Sequence, residues 1–418
     1  MMHWPPLPPL VIIIFTLTQC IAASQSSKDS SPQPLPNGDD SVCDCFLTNG
    51  TQPSYFSHHM FFDFRNLTQD AGIPPIVTNA TNATFAPPTS AYFSSDEWTS
   101  VWQLQGWSNS EGKGKGLSGA ATVLMAYSPA NVYIQQNEDK DADADSQTYL
   151  TLRTQREPKF QSAAAFQTKT SDYQFVSLRM LARTVGSPGA VTAMFTYRDA
   201  TASSSLQESD FEVLTRGPRE NVQLTNQPSF DGDGRVKPEA TTNATLPGGM
   251  IWSQWAVWRL DWTADSSVWY ADGQQLANIT FQVPQDAAGI NVNAWSDGGS
   301  WSGNMSVYDQ ASLQIQWIEM IYNTSSASQR KFKRDGSARL GPRGELPRRR
   351  DFLSLRSSND EDGCKVVCSI DEVTEQGVAT MLWNASSTAT RMAGADAVMS
   401  MAWAWALLVG SLVWLTII

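Results

Sequence analysis

From Phe46 to about Asn323 the chain is a succession of short apolar or alternating runs. Examples are TYLTLRT, YQFVSLRMLAR, AVTAMFTYR, DFEVLT, AVWRLDW, SVWYADG and LQIQWIEMIY, separated by Gly, Pro, Asn and Asp. Side chains alternate across a strand, so such runs predict β-strands with one face buried. Few stretches hold a helical period for three turns. The pattern therefore predicts an all-β fold with frequent turns, a sandwich or barrel. A span of about 280 residues is large for an immunoglobulin-like module and suits a large two-sheet sandwich.

One run carries chemistry. Glu208, Asp210 and Glu212 stand at i, i+2 and i+4 in ESDFE. On a strand all three point to one face, while Ser209, Phe211 and Val213 take the other and can pack into a core. A row of carboxylates is costly, because like charges repel and burial raises their pKa values. Glycosidic hydrolysis gives such a row a purpose, since it needs one carboxyl protonated and its neighbour ionised. The competing reading is the solvated face of an edge strand.

Both ends of the chain change character. The segment WPPLPPLVIIIFTLTQCIAA (4–23) reads as a secretory signal peptide cut near Ala22 or Ala23, taking Cys20 with it. The final run, AVMSMAWAWALLVGSLVWLTII, has no Lys or Arg after it and follows a small-residue spacer, the pattern of a GPI-attachment signal. Asn384, Ser386 and Ser387 are the candidate attachment residues. Nine sequons, at Asn49, Asn66, Asn79, Asn82, Asn243, Asn278, Asn304, Asn323 and Asn384, agree with an extracellular, glycosylated protein.

Cys43, Cys45, Cys364 and Cys368 remain, an even number that predicts two disulfides. Three pairings are possible. A Cys43–Cys45 bridge would close a strained small ring, so the N-terminal pair is expected to join the C-terminal pair. The expected organisation is a signal peptide (1–23), polar linker (24–42), β-sandwich (43–325), basic insertion (326–362), closing segment (363–384) and GPI signal (385–418). The basic insertion reads as a solvated loop, with proprotein cleavage at Lys333-Arg334 or Arg348 to Arg350 as the functional alternative. A net charge of −12 points away from nucleic acid.

The order of motifs adds a resemblance. The opening CDCFLTNGT with FFDFRNL, the ESDFE strand, the Trp-rich IWSQWAVWRLDW and the loop WSDGGSWSGNMS resemble glycoside hydrolase family sixteen, the concanavalin A-like glucanases. The likeness is closest to fungal, secreted, GPI-anchored members. It covers roughly Cys43 to Tyr322, with a closing piece at CKVVCSIDEV. It implies a jelly roll of two antiparallel sheets with a substrate cleft. It also implies Glu208 as nucleophile, Glu212 as general acid/base and Asp210 as the acid assisting between them. The substrate class implied is β-1,3 or mixed β-1,3/1,4-glucan, cut in endo mode. A transglycosylase with the same site, or a non-catalytic glucan-binding wall protein, are the alternatives. Several members carry a His near the position of Trp258, and this chain does not.

Aromatic rings stack on the C–H faces of sugars. Trp258, Trp295 and Trp301 are the expected substrate contacts, and Trp295 and Trp301 flank a Gly-rich loop that a buried strand would not use. Asn226 and Gln227 could bond sugar hydroxyls, or close a turn. No metal or cofactor is expected, and the protein is expected to act as a monomer held by its lipid to the outer membrane leaflet. Three other patterns fail. The G-x-G-x-x-G at Gly114 lacks a βαβ context. Asp141, Asp143 and Asp145 lack the Gly and Glu of an EF-hand loop. His58 and His59 have no nucleophile elbow to serve.

Overall fold

The computed structural model describes residues 33–35, 39–110, 117, 119–139, 146–199, 205–325, 364–371 and 373–384. The expected leader, the basic insertion, the GPI signal with Ser386 and Ser387, and the Asp141–Asp145 run lie outside the described residues.

The fold is all-β, as its alternating runs predict. One antiparallel sheet carries the acidic run. Its strands lie in the order Thr241–Thr245, Asn221–Gln227, Gln207–Leu214, Val191–Arg198, Gly289–Trp295 and Gln161–Thr168, and Trp102–Leu104 also pairs with the last of these. A second antiparallel sheet runs Gln274–Ile279, Ser267–Ala271, Ala256–Trp262, Tyr173–Gly186 and Gln310–Thr324. The last strand then pairs with both His58–Asp63 and Thr148–Arg156. The two sheets meet at a corner where Gln155 and Arg156 pair with Ser162 and Gln161.

Period two decides what fills the space between the sheets. Phe211 and Val213 of the acidic strand, Met194, Val292, Phe166 and Leu224 of its neighbours, and Leu178, Met180, Trp258, Leu260, Trp262, Ile318 and Met320 of the second sheet form one buried cluster. Burying side chains of this size stabilises by about 1.5–3 kcal/mol each relative to exposure. The expected pattern of a half-buried strand appears directly. Ser209 and Phe211 are buried, whereas Glu208 and Glu212 stay partly accessible on the other face.

A third, small sheet closes the back. Its strands are Gln33–Pro34, Thr380–Asn384, Val366–Ser369, Cys45–Leu47 and Tyr55–Phe56. Disulfides join Cys43 to Cys368 and Cys45 to Cys364, so the N-terminal pair does bridge to the C-terminal pair. Phe46, Phe56, Cys368 and Ile370 pack onto Ile321 of the second sheet. Asp371 then bonds two buried arginines of that sheet, Arg179 at 2.7 Å and Arg259 at 3.1 Å. Burial alone would raise the Asp371 pKa, but the two guanidinium charges hold it below the ordinary value.

The sequons divide by exposure. Asn66, Asn79, Asn82, Asn243, Asn278 and Asn304 are exposed. Asn323 is half-buried, and its amide nitrogen donates to the Tyr55 carbonyl at 3.2 Å while its oxygen accepts from Ser57. Asn49 is also half-buried, its oxygen accepting from Arg259. Asn384 closes a strand of the small sheet, paired with Val366.

His59 ties the N-terminal segment to the second sheet. One ring nitrogen lies 2.7 Å from Asp40 Oδ2 and the other 2.9 Å from Glu319 Oε1. Gln376, from the C-terminal segment, bonds the other oxygen of Glu319, and the Phe46 ring lies against the imidazole. Burial favours neutral imidazole. The two carboxylates outweigh it and raise the pKa above the ordinary 6.5. Its stabilisation is therefore full below the unfolded value and is lost as pH rises through the folded one. We expect the Tm difference between wild type and His59→Asn to be constant below the ordinary histidine value of 6.5 and to shrink as pH rises above it, measured by thermal unfolding. A difference independent of pH would contradict this account.

Candidate active site

The register of the first sheet sets what surrounds each acid. Glu208 lies between Tyr197 and Gln227, Asp210 between Phe195 and Thr225, and Glu212 between Ala193 and Gln223. Beyond Ala193 stands Asn293, and beyond Phe195 stands Asn291. The open face is thus a polar floor with the three carboxylates in line along one strand. The small Ala193 leaves room beside Glu212.

Packing these acids together displaces their proton affinities. Burial pushes Glu208 up to about 7, against a hydrogen bond from Asp210 that favours its charge. Burial first, then the charges of Glu208 and Glu212, drive Asp210 well above the ordinary value. Asp210 is therefore the protonated member, donating to Glu208, with Gln227 hydrogen-bonded to it as well. Burial pushes Glu212 up to about 8, helped by the Glu208 charge and opposed by a hydrogen bond from Trp301. Both glutamates are held above the ordinary carboxylate range, and their titrations are linked. The cluster can thus hold an ionised carboxylate and a protonated one on the same face.

Trp301 comes from a turn after the strand Gly289–Trp295. Its indole N–H lies 3.3 and 3.2 Å from the two oxygens of Glu212, and the residue is 38% exposed. The turn is fixed by the Asp297 carbonyl, which accepts from Thr122 N–H and Val123 N–H at 2.9 Å each. Gly298 has φ +71°, and a Cβ there would sit 2.4 Å from Thr122 Oγ1. The glycines that mark this loop in the sequence are required by that close approach. Trp295 is half-buried against Met125, Tyr127 and Ala163.

Two expected contacts lie elsewhere. Trp258 is buried between the sheets, its ring 5.0 Å from that of Phe211 and its N–H donating to the Ala182 carbonyl. Asn226 pairs with Ser209 and so faces the core, where its oxygen accepts from Ser209 Oγ and its amide donates to the Phe281 carbonyl at 3.0 Å. Both are corrections. Nearness in sequence to the acids does not give nearness on the same face. Gln227, one residue on, does stand beside Glu208, and its oxygen accepts from Ser229 N–H and Ser229 Oγ.

Two further residues were not singled out from sequence. Asn293 follows the alternation of its strand onto the open face, and its side-chain oxygen is buried without a hydrogen-bond partner among the described residues. The alternation in GINVNAW was the available signal. Trp107 is 47% exposed and lies on Tyr127, ring centroids 4.5 Å apart, which extends the aromatic surface beyond Trp295. Only a solitary Trp before a polar segment marked it.

The fold and the site together define a two-sheet β protein with a carboxylate row on an open sheet face. Residues 128–319 match the family model of Glycosyl hydrolases family 16. It is similar to the β-glucanase of Bacillus licheniformis, 27% identical over 132 residues, covering 31% of this chain and 51% of that one. The β-glucanase of Bacillus subtilis is 24% identical over 171 residues, covering 40% and 66%. The chain thus spans about half the length of the first relative and about two thirds of the second. Among solved structures, the catalytic domain of an endo-1,3-β-glucanase (laminarinase) from Thermotoga petrophila aligns with TM-score 0.42 and 16% identity, covering 54% of this chain and 91% of that one.

Because Asn226 faces the core, Asn226→Ala should act on stability. It leaves Ser209 short of a buried partner, at a cost on the order of 1–3 kcal/mol. Thermal unfolding should register that loss, while affinity for a glucan oligosaccharide, measured by calorimetry, stays as in wild type. Weakened binding with unchanged Tm would contradict the placement.

Proposed function

We propose that this protein is a retaining, endo-acting glycoside hydrolase that cleaves β-1,3 or mixed β-1,3/1,4-glucan. The observation that carries the reading is geometric: Glu208, Asp210 and Glu212 stand in line on one open sheet face, with the Trp301 indole N–H on the Glu212 carboxyl. The family match over residues 128–319 and the β-glucanase relatives support the same class of chemistry.

In the first step Glu208 attacks the anomeric carbon. Glu212 gives its proton to the departing oxygen, so the leaving sugar departs neutral. Asp210, by donating to Glu208, withdraws charge from the nucleophile in the resting site and can release it as the ester forms. In the second step water meets the anomeric carbon and Glu212 takes its proton, the ester bond breaks and Glu208 is restored. A sugar hydroxyl in place of that water would give transglycosylation. Trp295, Trp301 and Trp107 offer the apolar faces on which sugar rings stack, and Asn293 the polar group that orients a hydroxyl.

We also propose that the enzyme is secreted, held by a GPI lipid and active in cell-wall remodelling. Two disulfides and six exposed sequons support an oxidising, extracellular setting.

Glu212→Gln should lower kcat on β-glucan by about 10²–10⁴-fold, and Glu208→Gln by at least as much, with oligosaccharide affinity retained. Reducing-end release and calorimetry measure the two quantities. Full turnover in either variant refutes the assignment. Products longer than a short donor oligosaccharide would favour the transglycosylase, and a β-configured first product, seen by proton NMR, is expected for retention.

The pH dependence follows from the same groups. For the free enzyme, kcat/KM should be bell-shaped. It falls on the acid side as Glu208 gains a proton and on the alkaline side as Glu212 loses one. Both limbs should lie above the ordinary carboxylate range, near the values of about 7 and about 8 toward which burial pushes these groups. An acid limb near the ordinary glutamate value of 4.5 would be inconsistent with this burial.

A further inference from the structure

We propose that Trp301 is a positioning residue for Glu212, whose indole N–H holds the Glu212 carboxylate in place for the base half of the double displacement. This rests on the glycosidase reading above. The geometry is that of one donor shared between two oxygens, at 3.3 and 3.2 Å. An indole nitrogen only donates. Two oxygens approached equally are what an ionised carboxylate presents, whereas a protonated carboxyl has one good acceptor and one O–H. Trp301 therefore favours the base form of Glu212.

The rest of the site favours the acid form. Burial and the charge of Glu208 both hold a proton on Glu212, and Trp301 is the one group among its resolved influences that opposes them. Glu212 needs both forms in one turnover. In the first step its proton leaves with the departing sugar oxygen, and a full charge appears on Glu212 while the Glu208 ester forms. In the second step that charge accepts a proton from water, whose oxygen bonds the anomeric carbon as the ester bond to Glu208 breaks. The indole bond strengthens as the charge develops, so it acts more in the transition state than in the resting enzyme. It also fixes the carboxylate against rotation while water approaches.

The ring itself is fixed from the acidic strand. Arg216, two residues past the end of Gln207–Leu214, donates its Nε–H to the Trp301 carbonyl at 2.8 Å. Gly303 lies against the Arg216 side chain, where a Cβ would come 2.8 Å from Cδ. The same strand thus supplies Glu212 and, four residues on, the guanidinium that sets the loop opposite it. Arg216 is exposed, so this link is separable from the core.

The test compares wild type, Trp301→Phe, Arg216→Ala and Glu208→Gln, each checked by thermal unfolding. Trp301→Phe keeps an aromatic face and removes the donor. Its alkaline limb of kcat/KM should move to higher pH, because loss of the donor favours protonated Glu212. With an activated aryl glycoside, whose departure needs no acid, kcat reports the second step. It should fall on the order of tenfold, with a pre-steady-state burst of the aryl alcohol and little change in KM for glucan oligosaccharide. Arg216→Ala should move the limb in the same direction by less. A stationary alkaline limb with a raised KM in Trp301→Phe would make the residue a stacking platform only and overturn the proposal. If Trp301→Phe does not fold, a stationary limb in Arg216→Ala overturns it equally. If Glu208→Gln turns over glucan as wild type does, both the proposal and the glycosidase reading fall. If Glu208→Gln is inactive and the alkaline limb of Trp301→Phe stays where it is in wild type, the positioning role alone falls.

Discussion

The constraint on which the site depends is repulsion within one strand. Glu208, Asp210 and Glu212 share a face because side chains alternate, and nothing in the backbone can separate them. The sheet resolves the conflict by protonation. Asp210, the most buried of the three, carries the proton and so stands as a neutral donor between two glutamates. That removes one charge from the row and leaves the outer pair to differ. A hydrogen bond from Asp210 favours the charged form of Glu208, one from Trp301 favours that of Glu212, and burial opposes both.

A strand can hold such a row only if its other face is immovable. Ser209, Phe211 and Val213 supply that face. Phe211 lies on Trp258, and Ser209 is held by Asn226 and by Ser267 of the second sheet at 2.7 Å. The second sheet is in turn backed by the small disulfide-linked sheet, through Ile321 and the Asp371–arginine contacts. Buried ion pairs are weak evidence for net stability, but breaking one leaves a charge without compensation. Their effect here is to fix where the closing segment docks.

The parts legible in the sequence were those with short-range signals. The alternating runs gave the all-β class, and the i, i+2, i+4 spacing gave the acidic face. The Gly-Gly pair marked a loop, and the structure shows it turning Trp301 back over Glu212. The failures share one cause. Trp258 and Asn226 were associated with the acids by order along the chain, but face is set by cross-strand register. Asn226 pairs with Ser209, whose parity is that of the core. Register depends on turn lengths and on which strands become neighbours, and neither can be read from the residues themselves. The contact of His59 with Glu319 spans 260 residues and left no local trace. Asn323 looked like any other sequon until Ser57 and Tyr55 were folded against it.

The two corrections also change what a distant residue can do. Trp258 is buried between the sheets, where it supports Phe211, and Phe211 stands between Asp210 and Glu212 on the same backbone. Interiors are close-packed, so a change of volume behind a sheet is transmitted through it. A reacting group displaced by about 1 Å can cost on the order of 10²-fold in rate. The packing side of this strand is therefore under constraints as strict as the chemical side, for a different reason. Carboxylates on one face are set by the protons they must exchange, and the apolar side chains on the other by the distance at which they hold those carboxylates. A single five-residue run meets both demands because a strand has two faces and assigns its residues to them in turn.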